Sequence, residues 1–170
     1  MSSSSISDEN EMMKEEGPFY EDFRVGKVLN HPGGRTITDT DNIWFTLLTC
    51  NTNQIHYNQE YAKKNFSKPP FDGRLVVNSL LVMSIVFGLS VGDTSKNGIM
   101  LGMTNWKVTQ PTFAGDTICS KSEVTATRES KTHPSMGIVT VRTRGFKQNS
   151  ELIMEFERSF MVRKSHQKWE

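Results

Sequence analysis

The sequence predicts an α+β domain in which a long antiparallel sheet wraps around one apolar helix. Residues 75–89 are apolar on nearly every helical face, interrupted by Asn78, Ser79, Ser84 and Gly88, and such a helix needs cover on all sides. The second half of the chain changes period. Residues 117–126, 137–144 and 152–160 are rich in β-branched side chains or alternate in character, which is the signature of strands. The polar Gln148-Asn149-Ser150 joins the last two runs and predicts an antiparallel hairpin. Residues 98–108 supply a further strand.

The remaining elements follow in order. Residues 1–17 carry five acids (Asp8, Glu9, Glu11, Glu15, Glu16) against Lys14 and few large apolar side chains, so they read as a solvated acidic, serine-rich tail. The domain is expected over residues 18–164, with a short C-terminal tail at 165–170. Residues 19–28 set aromatics beside acids and lead into a strand, which Pro32-Gly33-Gly34 interrupts. Thr38, Asp39, Thr40 and Asp41 offer oxygens for free helix amides, and Ile43, Trp44, Leu47 and Leu48 follow at helical spacing. A helix over about 40–49 results. Residues 51–57 form a polar loop, and a short amphipathic helix follows near 59–66 before Pro69, Pro70 and Gly73 break the chain again.

Composition excludes several classes. The 170 residues suit one domain with one core. Lys+Arg at 20 against Asp+Glu at 19 leaves a net charge of +1, without the cationic surplus that phosphate-backbone binding needs, so no nucleic-acid partner is expected. Once the acidic tail is set aside the body is mildly basic, which suits a small phosphorylated ligand without demanding one. The apolar run at 75–89 is shorter than the ~20 residues of a membrane span, so no membrane is expected. Cys50 and Cys119 are the only cysteines, and with no export or import segment ahead of them they read as reduced thiols in a cytoplasmic protein. His31, His56, His133 and His166 are too scattered for a metal site, and neither phosphate-binding glycine motif is present.

Three features can carry chemistry. His56 sits in a loop crowded by Asn51, Asn53 and Gln54, surroundings that can hold one tautomer and let the ring exchange protons near neutral pH. Asn78-Ser79 begins the apolar helix, where free amides at the positive end of the dipole can either be capped or hold an oxyanion. Cys50 lies six residues before His56, so a thiolate–imidazole pair is conceivable, although a cysteine at the end of an apolar helix is more often a small core residue.

Taken in order, the E-D-F-x-V-G opening (Glu21 to Gly26), the T-x-T-x-x-D-N stretch (Thr36 to Asn42), the loop ending at His56, the helix with Asn78-Ser79 and the F-x-G-D-x-I segment (Phe113 to Ile118) resemble the MaoC-like, hot-dog-fold enoyl-coenzyme A hydratases. The stretches around residues 75–80, 86–95, 137–140 and 144–149 resemble the mesaconyl-coenzyme A hydratase, or β-methylmalyl-coenzyme A dehydratase, branch. Departures from the general pattern are Asn51 in place of an aspartate, Gln54 in place of a proline, and Asn78-Ser79 in place of His-Gly. An amide cannot carry a proton at neutral pH, but the mesaconyl branch tends to have asparagine there too.

The resemblance implies a hot-dog fold and reversible hydration of an enoyl-coenzyme A, such as the branched dicarboxylic mesaconyl thioester, with coenzyme A as part of the substrate and no separate cofactor. It implies His56 as general base, Asn51 orienting water or imidazole, and Asn78-Ser79 presenting an amide to the thioester oxygen. Arg74 and Arg35 are candidates for the substrate's free carboxylate. A homodimer or larger homo-oligomer is implied as well. Two rival readings stay open: a hot-dog thioesterase, and a noncatalytic acyl-thioester binder that has lost its aspartate.

Overall fold

The structure is a computed structural model and describes residues 17–165. Apart from Gly17 and Ser165, the two expected tails lie outside the described residues. After a 3₁₀ turn at Tyr20–Asp22 come β1 (Val28–Asn30), β2 (Arg35–Thr36), α1 (Asp39–Leu48), a second 3₁₀ turn at Gln54–His56, α2 (Gln59–Asn65), α3 (Ser79–Thr94), β3 (Gly98–Val108), β4 (Thr117–Glu129), β5 (Met136–Lys147) and β6 (Leu152–Arg163). The strands form one six-stranded antiparallel sheet in the order β1-β4-β5-β6-β3, with β2 also on β4.

Alternation in β5 and β6 sorts side chains by face. Val139, Val141, Phe156 and Phe160 turn inward and are at most 1% exposed. Arg142, Arg144, Glu155 and Glu157 turn outward, where Arg142 pairs with Glu157 at 2.9 Å and Arg144 with Glu155 at 3.5 Å across the same ladder. Exposed pairs of this kind contribute at most about 1 kcal/mol each, so burial on the inner face holds the sheet. There α3 lies across β4 and β5, with Val82 and Val86 buried against Ile118, Met154 and Phe156. The helix comes so close that a Cβ on Gly145 would stand 2.5 Å from a Val86 methyl.

The apolar helix starts where Asn78-Ser79 predicts but runs further than the apolar stretch and is less covered than expected. It begins at Ser79, because Val76 is extended and bridged to Phe113 and the Asn78 side chain caps the Leu80 amide. It continues to Thr94, where the Ser90 hydroxyl donates to the Phe87 carbonyl and the Thr94 hydroxyl to that of Ser90, so that both polar side chains are satisfied within the helix. It is also not covered on every side. Leu81, Val82, Val86, Ser90 and Thr94 are buried, while Leu80, Ser84, Gly88 and Gly92 form an open stripe four residues apart. The edge strand β3 is open too, with Ile99, Leu101, Trp106 and Val108 exposed. No described helix is long and apolar enough to cross a membrane.

Beneath the C-terminal half of α3 lies a polar core. The Arg158 guanidinium, 1% exposed, donates to the Ser90 and Thr94 hydroxyls and lies over the Phe87 ring; burial lowers its pKa to about 10. His31 Nδ1 donates to Asp93 at 2.8 Å, since a carboxylate only accepts. Its Nε2 therefore accepts from Ser122, which in turn accepts from Thr143. Burial pushes the His31 pKa below its ordinary value, with the nearby Arg158 charge adding to the effect and Asp93 opposing it. The unfolded chain then takes up a proton near pH 6.5 that the folded chain refuses until lower pH. Stability is expected to fall as pH drops through that window. Melting temperatures between pH 7.5 and 5.5 check this: His31→Gln should show a shallower decline than the parent, and equal slopes would refute it.

Candidate active site

Helix α1 is set by a reciprocal cap: Thr38 accepts from the Asp41 amide at 3.2 Å, and Asp41 accepts from the Thr38 amide at 2.9 Å. Arg35 donates to the other Asp41 oxygen at 2.7 Å and, with the Thr38 amide, lowers that carboxyl's pKa to about 2. Arg35 is thus engaged at the start of α1, and no described contact joins it to His56 or Ser79. The faces of α1 are the reverse of what hydrophobic spacing suggests. Trp44, Leu47 and Leu48 are 64%, 56% and 73% exposed, whereas Asn42 and Thr46 are fully buried.

From the end of α1 the Asn51 amide donates to the Thr46 carbonyl, the Asn51 side chain accepts from the Asn53 amide, and the Asn53 side chain accepts from Ile55. These short bonds fold the polar loop into the 3₁₀ turn, and Ile55, 7% exposed, anchors it. Asn51 therefore shapes the loop. His56 is half-buried at the turn's end, and its Nδ1 stands 2.8 Å from the Val76 carbonyl. A carbonyl only accepts, so Nδ1 carries the proton and the neutral ring keeps its lone pair on Nε2. The Val76 amide reciprocates by donating to the Ile55 carbonyl at 3.2 Å.

Three residues beyond Val76 the chain reaches the N-terminus of α3. Asn78 is 2% exposed and acts as the cap: its oxygen accepts from the Leu80 amide and its nitrogen donates to Thr46 at 3.3 Å. The Ser79 amide hydrogen-bonds no described residue. Ser79, Val76, Val77, Val82 and Met154 are among the walls of a small cavity of about 50 Å³. The site thus sets a proton acceptor and an open amide at the positive end of a helix dipole on two sides of one short segment.

Arg74 enters that segment from the other side. Its guanidinium lies 3.7 Å from the centre of the Phe113 ring, donates to the Pro70 carbonyl at 3.4 Å and lines a second cavity of about 160 Å³ with Gln59, Leu75 and Phe113. Its nearest carboxylate contact, to Asp72, is 4.0 Å. Cys50 is exposed and in a left-handed conformation at φ 55°. It is not the core residue the sequence suggests, and no hydrogen bond joins it to His56 among the described residues. Among the described residues no three His, Cys, Asp or Glu side chains gather into a metal-binding group.

The sequence reading missed Asn42 and Thr46. Asn42 donates from one nitrogen to the carbonyls of His56 (2.9 Å) and Val76 (3.1 Å) and accepts from the Asn78 amide (2.9 Å). The available signal was Asn42's place at the end of the T-x-T-x-x-D-N stretch.

An antiparallel sheet wrapped on one helix, with a histidine loop docked at that helix's N-terminus, is a hot-dog domain of the MaoC-like class. A solved MaoC-domain dehydratase from Chloroflexus aurantiacus matches with a TM-score of 0.80 at 33% identity, covering 90% of this chain and 42% of that one. A Mycobacterium tuberculosis protein described as a double hotdog fold matches with a TM-score of 0.75 at 19% identity, covering 91% of this chain and 46% of that one. More specifically, the chain belongs to the mesaconyl-CoA hydratase family, whose model matches residues 3–168. Similar curated proteins are a β-methylmalyl-CoA dehydratase from Chloroflexus aurantiacus, 35% identical over 87% of this chain and 41% of that protein, and a mesaconyl-CoA hydratase from Cereibacter sphaeroides, 31% identical over 87% of this chain and 42% of that protein. The chain spans about two fifths of the length of these relatives.

Proposed function

We propose that the protein reversibly hydrates an enoyl-coenzyme A thioester, with a branched dicarboxylic substrate such as mesaconyl-coenzyme A favoured. The observation that carries this reading is the His56 Nδ1 bond to the Val76 carbonyl, which leaves the Nε2 lone pair available as a base on a ring anchored three residues before Ser79. The thioester oxygen would sit at the N-terminus of α3, where the Ser79 amide and the dipole favour the enolate that forms when water adds to the β-carbon. His56 Nε2 would take the proton of that water and return one to the α-carbon. Asn51, held by the turn it shapes, cannot itself transfer a proton and would orient the water through its remaining amide hydrogens.

Arg74 would recognise the substrate's second carboxylate, since it stacks on Phe113 without a close ion pair and guanidinium favours bidentate carboxylate binding. The test is a panel of mono- and dicarboxylic enoyl thioesters followed by loss of conjugated absorbance, with a thiol-reactive dye in parallel. The reading expects absorbance loss without thiol release; thiol release would identify a thioesterase, and saturable binding with no absorbance change a noncatalytic binder. Arg74→Met should reduce the preference for the dicarboxylic substrate by about tenfold or more, in line with a lost charged hydrogen bond. An unchanged preference would overturn that role.

The open β3 edge and the Leu80-Ser84-Gly88-Gly92 stripe, together with relatives more than twice as long as this chain, support pairing with a second copy. Sedimentation should give twice the chain mass, and Leu101→Lys should shift it toward the single chain. A parent that sediments as a monomer at micromolar concentration would refute the pairing.

A further inference from the structure

We infer that Asn42 is a positioning residue for the reaction: its carboxamide joins the His56 loop, the Val76 carbonyl and the N-terminus of α3 into one unit and so keeps His56 in the tautomer with Nε2 free. The link to turnover rests on the hydratase reading; the link to the tautomer does not.

Asn42 is fully buried. Its two amide hydrogens are spent on the carbonyls of His56 and Val76, and its oxygen on the amide of Asn78. Each of those backbone groups belongs to a different part of the site. No other side chain of this length can replace it: leucine has the shape without donors or acceptor, aspartate has no donors when ionised, and glutamine is one methylene too long. The Val76 carbonyl matters most, because it accepts from both Asn42 and His56 Nδ1. With the carbonyl pinned, the opposite tautomer would set an Nδ1 lone pair against a carbonyl lone pair, so the ring proton stays on Nδ1. Released from Asn42, the peptide can turn, and the ring with it. Asn42 reaches no reacting atom and works only through these backbone groups.

The test uses protein labelled with ¹³C and ¹⁵N. Long-range ¹⁵N–¹H correlations report the ring tautomer, with the His56 signals assigned by their loss in His56→Ala. Wild type should show the Nδ1–H form, together with couplings across the hydrogen bonds from the Asn42 amide to the carbonyls of His56 and Val76. Asn42→Ala and the smaller change Asn42→Ser should show mixed tautomers, kcat lowered by about 100-fold, the loss that misplacing a catalytic group by an ångström produces, a KM changed far less, and a shifted acidic limb of the kcat/KM profile. An Nε2–H ring in wild type, or missing couplings, overturns the inference even if neither variant folds. Variants that keep both the wild-type tautomer and kcat overturn it too. If the wild type hydrates no enoyl thioester, the hydratase reading fails, and if His56→Ala retains turnover, the base assignment fails; in both cases the tautomer result still decides whether Asn42 holds the ring.

Discussion

Replacing His56 by alanine is expected to lower kcat/KM for enoyl-thioester hydration by about 100-fold or more, the usual contribution of a positioned general base. The ring is only half-buried and its one described side-chain bond is to the Val76 carbonyl, so its removal frees one acceptor and leaves the core intact. Asn42 still donates to that same carbonyl, and the cap on α3 is untouched. The variant should therefore melt within about 1 kcal/mol of the parent, as changes outside the core do. Steady-state rates and a thermal melt, read together, separate lost chemistry from lost structure. A folded His56→Ala protein with undiminished turnover would remove the base from the mechanism.

Phe156→Ala should have the largest effect on stability, about 3–5 kcal/mol. Phe156 is 1% exposed and packs in the cluster that seats Leu81, Val82 and Val86 of α3 on the sheet. At about 2–4 °C per kcal/mol for a chain of this size, the melting temperature should fall by roughly 10 °C. Turnover should suffer as well, because the helix that the cavity loosens is the one whose first amide faces the site. A fall of less than about 1 kcal/mol in denaturant titration would mean that α3 is held by something other than this cluster.

Period was a sound guide where a face is either wet or dry. The alternation of Glu155, Phe156, Glu157, Arg158, Ser159 and Phe160 separates outward ion pairs from inward aromatics. It also turns Arg158 inward against every expectation for an arginine, because that position is fitted with hydroxyls from the far end of α3. Only the fold brings those groups together.

Helix α1 was harder to read. Its apolar residues fall at helical spacing, yet Asn42 and Thr46 are the buried ones because Asn42 serves backbone groups, and Thr46 the Asn78 side chain, of segments 14 to 36 residues away along the chain. A local pattern holds no trace of such distant demands. The apolar run at 75–89 does not all join α3 for a related reason: Leu75, Val76 and Val77 are apolar enough for helix or strand, and the partners of Val76, which are Phe113, Ile55 and the His56 ring, decide between them. The importance of His56 came from the resemblance. The tautomer that leaves its Nε2 unprotonated came from the carbonyl opposite its Nδ1.

The segment from Val76 to Ser79 joins the carbonyl that holds His56 to the N-terminus of α3 through a few covalent bonds of a single chain. Their spacing is thereby set within the chain and does not depend on contacts with another one. Under the proposed hydratase reading, changes at a subunit boundary would alter which acyl groups enter without altering that spacing.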